Sequence, residues 1–483
     1  MQIKSIPLEK LKWIFEQVQF KRDPYWHQYL SILFTMDLDR VAFFHPVGSG
    51  KTSTAYYVME NSWKCDRVLV VCPTSGFRAW GRDAEWTDYS YTYLSGKSDE
   101  RKEKLYNQSN VYIVNWEGLK YTFGKRIPKN GATKWVIDRD MLLDDCSMFD
   151  CVVLDEVHRC KNYQSLQTKI AVELSKNTTH TIGLTGTAFD KDLLQLFNVY
   201  NVIDLGQSLG RNFWRFRLDN FHKVGFDWVP NEGAEDEIFD NAAPITLAFS
   251  KEECYDLPEC QELVYEIENT DAFRKWEKLI ITQSSFDIEG CTVNSDKPSQ
   301  CAHLLRELSA GFLYYKDGSG TNRRYEMKAN PKLSALMDIV DDNQVKMIVF
   351  YAHRGTEELI GKQLKKRDIG YVVMRGGQKP EERVEAERAF LQDKNVQICL
   401  ANVGCGSEAW EGHSASIVVF YDLVASPTVR EQCVGRMLRR GQTKKTTVIE
   451  LVIKNSIDEI IKANQGPRKD LVDSFLEYVE DYT

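Results

Sequence analysis

The chain has 483 residues, 43% hydrophobic and 27% charged, with a formal net charge of −8. That balance excludes a disordered or collagen-like chain and leaves room for several buried cores. No apolar run approaches the ~18 residues of a membrane span, and the opening Met-Gln-Ile-Lys-Ser lacks the apolar stretch of a secretory signal. The 12 cysteines are scattered without a CxxC pair, so an intracellular, reducing compartment is expected.

In chain order, Arg40-Val-Ala-Phe-Phe44 reads as a buried strand and Thr54 to Met59 as the start of a helix, with Val47-Gly-Ser-Gly-Lys-Thr52 between them. In that setting Gly48, Ser49 and Gly50 let backbone N–H groups curl round a nucleotide β-phosphate. Lys51 reaches the β/γ oxygens, Thr52 offers its hydroxyl to Mg²⁺, and the helix N-terminus faces the anion. His45 stands where the GxxxxGKT pattern has its first glycine. Further on, Phe149-Asp-Cys-Val-Val-Leu-Asp-Glu-Val-His158 is an apolar strand ending in two carboxylates. A carboxylate at that end of a parallel strand faces the ligand crevice, which suits Asp155 to holding Mg²⁺ and Glu156 to accepting a proton from attacking water. In Gln432-Cys-Val-Gly-Arg-Met-Leu-Arg-Arg-Gly-Gln442, Arg436 and Arg439 lie three apart and would share one face of a helix. Their planar forks suit phosphate oxygens. ATP and Mg²⁺ are therefore expected, with Lys51, Asp155, Glu156, Arg436 and Arg439 as the catalytic set.

Strand-like runs recur in two halves. The first holds 41–44, 68–72, 111–114, 151–154 and 181–184; the second holds 347–351, 371–374, 397–401, 417–421 and 447–452. Alternation with helical patterns implies an α/β fold with parallel sheets covered on both faces. Between the halves, 272–281 and 301–313 read as helices and 287–299 as a loop. Residues 201–320 hold 11 basic against 22 acidic side chains, leaving 51 against 48 elsewhere. The acidic middle is expected to be solvated surface rather than a nucleic-acid contact. The expected domains are 1–204, an ATP-binding lobe; 205–325, an acidic, mainly helical insertion; 326–465, a second lobe; and 466–483, a C-terminal helix.

Taken together these strings resemble the superfamily 2 nucleic-acid-dependent ATPases, and within them the SWI/SNF-type duplex-DNA translocases. Val68-Leu-Val-Val-Cys-Pro73 with Trp80 and Glu85-Trp86 is similar to motif Ia, and Asp155 to His158 with Lys161-Asn162 to motif II. Leu184-Thr-Gly-Thr187 is similar to motif III, Leu257-Pro258 to the family's Leu-Pro landmark, and Gln432 to Gln442 to QxxGRxxRxGQ. Departures are Ala188 and Asp190-Lys191 after motif III, and Ala409 and Glu411 in motif V. The His-Pro-Val-Gly-Ser-Gly-Lys-Thr loop resembles poxvirus-type nucleoside triphosphatases, suggesting a viral or phage lineage.

The resemblance implies two tandem RecA-like lobes with a helical insertion between them. It implies that Gln28 reads the adenine edge, that Gly406 and Gln432 join the nucleotide site, and that His158, Thr185, Gly186 and Thr187 couple the lobes. Nucleic-acid contacts are implied at Pro73, Thr74, Asn115, Trp116, His353, Arg354 and Arg375. The expected function is an ATP-driven motor tracking on duplex DNA. One alternative is a strand-separating DNA or RNA helicase, whose wedge hairpin is not evident in the sequence. The other is an ATP-gated adaptor for a polymerase or repair protein in viral transcription or repair.

Overall fold

The computed structural model describes residues 2–129, 132–144, 148–186, 193–225, 227–249, 251–254, 260–407, 410–438 and 442–465. They form two compact units, 1–256 and 257–483.

The first unit contains β1 (Arg40–Phe44), β2 (Val68–Cys72), β3 (Tyr91–Tyr93), β4 (Val111–Asn115), β5 (Gly124–Lys129) and β6 (Ala132–Ile137). It continues with β7 (Cys151–Asp155), β8 (His180–Thr185), β9 (Phe221–Val224), β10 (Asp227–Pro230) and β11 (Thr246–Ala248). Seven of these make one sheet in the order β11-β1-β8-β7-β2-β4-β3, every pairing parallel. The unbroken apolar runs are what a sheet covered on both faces requires. Val41, Phe43, Val68, Val70 and Val153 enter one core, while Ala42, Leu69, Val71, Val152 and Leu154 enter the other.

One crossover positions the candidate site. Strand β8 lies between β1 and β7, pairing Thr185 with Phe44 and Leu184 with Asp155. Three segments distant in sequence (the loop after β1, the acids at the end of β7 and the turn after β8) therefore leave the sheet side by side.

The second unit contains β12 (Cys260–Ile267), β13 (Ser285–Ile288), β14 (Cys291–Asn294), β15 (Phe312–Lys316) and β16 (Asn322–Glu326). Then follow β17 (Met347–Tyr351), β18 (Gly370–Met374), β19 (Val396–Asn402), β20 (Ile417–Phe420) and β21 (Thr446–Ile453). Its sheet is also all parallel, ordered β12-β21-β20-β17-β19-β18. At the core edge Lys332 is buried against Asp458 at 2.6 Å, with Ser309 bonding both. Removing one partner of such a pair would strand the other charge. The α/β class with two parallel-sheet units is as expected.

The middle of the chain differs from expectation. The unit boundary falls within 205–325, with β11 joining the first sheet and β12 the second. Besides the helices Phe213–Asn220, Ala234–Ala242, Asp271–Thr282 and Pro298–Ala310, that stretch holds the hairpins β9–β10 and β13–β14 and most of β15–β16. The segment 287–299, read as a loop, supplies both β13 and β14 residues; Glu289 and Gly290 turn it with φ of 52° and 79°. Two successive positive φ values match the twist of paired strands. The helix expected over 301–313 stops at Ala310 because Gly311 takes φ 98° and sends the chain into β15.

Candidate nucleotide site and nucleic-acid face

Backbone geometry after β1 is set by Gly48 and Gly50, at φ 88° and 78°. A Cβ on Gly50 would meet Gln28 Nε2 at 2.9 Å, so side-chain size and backbone conformation both demand glycine there. Gly50 caps the helix Lys51–Tyr57. Ser49 is buried, and its Oγ has no hydrogen-bond partner. A buried hydroxyl without a partner beside Lys51 suits an anion's oxygen. Lys51 Nζ donates to the carbonyls of His45 (3.1 Å) and Pro46 (3.3 Å), and a Cβ on Gly186 would come within 2.9 Å of it. Lysine, phosphate loop and the turn after β8 are thus one cluster.

The loop is braced from behind. His27 Nε2 lies 2.9 Å from the Ser49 carbonyl oxygen. His45 is fully buried against Phe43 and Phe249, and burial first, then the charges of His27, Lys51 and Lys4, drive its pKa well below the usual value. A neutral imidazole fills the place of the expected glycine. Gln28, expected on the adenine edge, packs against the phosphate loop. It is 2% exposed, its Oε1 accepts from the Tyr25 N–H (2.9 Å) and its Nε2 donates to the Gly50 carbonyl (3.3 Å). The carboxamide ties its helix to the loop.

The first acid, Asp155, ends β7 and Glu156 follows it. Asp155 Oδ2 accepts from the Trp80 indole N–H at 3.0 Å. Burial, then the adjacent Glu156 charge, pushes its pKa up to about 6. Glu156 holds φ 55°, a left-handed conformation costing a non-glycine residue of order 1–3 kcal/mol and typical of functional sites. Burial opposes its charge, yet His158, Lys51 and Arg159 outweigh that and hold its pKa below the usual value. His158 Nδ1 lies 3.2 Å from both Glu156 Oε2 and Thr185 Oγ1, joining the acids to the end of β8. Gly186 follows at Lys51; Thr187 lies outside the described residues. Thr52 is the second residue of the helix that leaves the same loop. The cluster can bind phosphate, hold a divalent cation through Thr52 and Asp155, and take a proton at Glu156.

Of the residues expected on nucleic acid, Pro73 and Thr74 follow β2, and Asn115 Nδ2 donates to Thr74 Oγ1 at 3.2 Å. Trp116 is a correction: it is fully buried and its indole N–H donates to the Asp155 backbone carbonyl at 2.8 Å, so it supports the acids. In the second unit Arg354 is exposed beside Glu358, and Arg375 is held by Glu357 at 2.7 Å. His353 caps the helix Arg354–Lys366, and burial lowers its pKa.

The signature segment of the second unit also differs. Its helix runs Pro427–Val434 and ends at Gly435, so Arg436 lies in the following turn rather than on a helix face. Arg436 is buried, and its Nε donates to the Gln432 carbonyl at 3.3 Å. Arg439 lies outside the described residues, as does Leu257-Pro258. Gly406 falls in the short helix Val403–Ser407 after β19. Trp80 as the indole on Asp155 and His27 as the brace on Ser49 carry no sequence signal, since neither spacing nor residue type marks such long-range bonds.

No described helix is long and apolar enough to cross a membrane. Residues 12–190 match the family model for the type III restriction enzyme res subunit, and 331–441 match that for the helicase conserved C-terminal domain. An uncharacterized ATP-dependent helicase of Mycoplasma genitalium is 23% identical over 448 residues, 90% of this chain and 40% of the relative. A Caenorhabditis elegans SWI/SNF-related matrix-associated actin-dependent regulator of chromatin subfamily A-like protein 1 homolog is 21% identical, over 90% of this chain and 59% of its own. The chain thus spans less than two thirds of these relatives. The Sulfolobus solfataricus SWI2/SNF2 ATPase core in complex with dsDNA aligns with a TM-score of 0.43 at 18% identity, over 92% of this chain and 90% of that one.

Proposed function

We propose, on the premise that this chain belongs to the superfamily 2 helicase and translocase ATPases of SWI/SNF type, that it is an ATP-driven motor tracking on duplex DNA. The observation that carries this reading is the convergence of Lys51, Asp155, Glu156 and Gly186 at adjacent strand ends of the first sheet. The N–H groups of 48–52 and the Lys51 amine bind the phosphates. Thr52 and Asp155 would hold Mg²⁺, which bridges and neutralises phosphate oxygens when bound. Glu156 orients water and takes its proton, and His158 relays the state of that acid to Thr185. Arg436 and Arg439, the arginines of the signature segment, serve ATP turnover through their guanidinium forks. Thr74 and Asn115 of the first unit, and Arg354 and Arg375 of the second, contact the nucleic-acid backbone.

A strand-separating activity is the second reading. The hairpins β5–β6, β9–β10, β13–β14 and β15–β16, unseen in the sequence, favour it. Hydrolysis rates with duplex DNA, single-stranded DNA and RNA, beside triplex displacement and duplex unwinding, decide between them. Stimulation by duplex with triplex displacement and no unwinding is expected. Unwinding with preference for single strands would replace the translocase by a helicase, and indifference to all three would remove the motor.

A further inference from the structure

A cavity of ≈ 610 Å³ lies between 96–102 and the β5–β6 hairpin, apart from the nucleotide cluster. Its lining has five cations (Lys97, Arg101, Lys102, Lys125 and Arg126) against one carboxylate, Asp99, with Tyr121 and Trp135 between them. From Gly124 to Ile137 the sequence has no acid and four bases. Arg126 pairs across the hairpin with Trp135, its guanidinium 4.9 Å from the ring centroid. Lys120 and Arg101 lie 4.9 and 6.0 Å from the Tyr121 ring, and the two aromatic rings meet edge to face at 5.2 Å. The charged heads of these cations lie over the ring faces.

Not every cation is available. Asp138 and Asp140 take Lys125 at 3.2 and 2.9 Å, and Asp138 takes Lys102 at 3.6 Å. Lys97 and Arg126 are exposed and have no carboxylate partner among the described residues. Arg101 ties the face to the expected contacts: its Nη1 donates to Asn115 Oδ1 at 3.4 Å, and Asn115 reaches Thr74.

We propose that this face docks the phosphodiester backbone of duplex DNA, with Lys97 and Arg126 on phosphates, extending the path that includes Thr74 and Asn115. The proposal rests on the reading that DNA is the motor's track. Duplex is favoured over a single strand because unpaired bases need open ring faces to stack on. Here cations lie over the rings, and the rings cross instead of lying parallel. Phosphates need only the cations.

The test uses the full chain carrying both Lys97→Glu and Arg126→Glu, without nucleotide, on a short blunt duplex across a salt series. Two lost phosphate contacts should flatten the slope of log K against log salt by about 2, and affinity at low salt should fall at least about tenfold. Lys97→Arg with Arg126→Lys should keep the parental slope, and hydrolysis without DNA should be unchanged in both. A parental slope in the double-Glu variant, or a loss confined to single-stranded DNA, overturns the surface. If parental hydrolysis ignores DNA while the slope still flattens, the motor reading fails and the surface stands. If DNA stimulates hydrolysis and the slope does not move, the surface fails and the motor stands.

Discussion

In the first unit, at the end of β7, the Asp155 carboxylate takes the Trp80 indole and the Glu156 carboxylate faces His158. In the second, Asp422, two residues beyond β20, accepts on Oδ2 from the Ala352 N–H (2.7 Å), the His353 N–H (3.3 Å) and the Thr356 hydroxyl (2.9 Å). Both sheets are parallel and both acids sit at strand carboxyl ends. One pair is strained, crowded and shifted in pKa, while Asp422 is satisfied by the loop it stitches. A carboxylate's position in an α/β unit therefore does not assign its work; what it bonds does.

The comparison breaks most sharply at Lys51. Lys51→Ala removes the cation packed at Gly186, and turnover should fall by about 10³-fold or more while circular dichroism stays parental. Near-normal turnover would remove the phosphate-loop assignment. Glu156→Gln keeps shape and loses the base; hydrolysis should drop by about 10²–10⁴-fold with ATP affinity preserved by titration calorimetry.

On the other side, Asp422→Ala should behave as a structural lesion. Stranding the groups it serves should cost about 3 kcal/mol in denaturant unfolding of the second unit, with ATP affinity unchanged. An affinity loss without destabilisation would make Asp422 a site residue after all. A smaller effect sits at Glu277, a buried acid bonded by the Asn269 amide at 2.9 Å, whose pKa burial raises to about 7. Because the folded state holds this proton more tightly than the unfolded one, the penalty is absent below about pH 4.5, grows as pH rises, and is complete above about 7. Glu277→Gln should flatten that fall, which is at most about 1.4 kcal/mol per pH unit. An unchanged pH profile of thermal unfolding would contradict the shift.

The ten strands expected from β-branched runs all form, because a continuous apolar run is a local signal and burial on both faces follows from it. Hairpins were lost where a short polar stretch hid two strands; Glu289-Gly290 turns without the usual Asn-Gly or Asp-Gly pair. Within the site, Lys51, Asp155 and Glu156 were legible because motif spacing and strand ends are sequence properties. The burial of Trp116 is not legible because an aromatic beside a motif looks the same whether it faces solvent or braces the backbone. Arg436 looked helical by its spacing from Arg439, and the stop at Gly435 came from the C-cap.

Arg436 is proposed to serve ATP turnover, and Arg436→Ala tests that assignment most directly. ATP affinity without DNA and DNA-stimulated kcat are measured side by side. Near-parental affinity and a fall of about 10³-fold in stimulated turnover are expected, with Arg436→Lys rescuing poorly because a point charge cannot reproduce the fork. Full stimulated turnover in the alanine variant would contradict it.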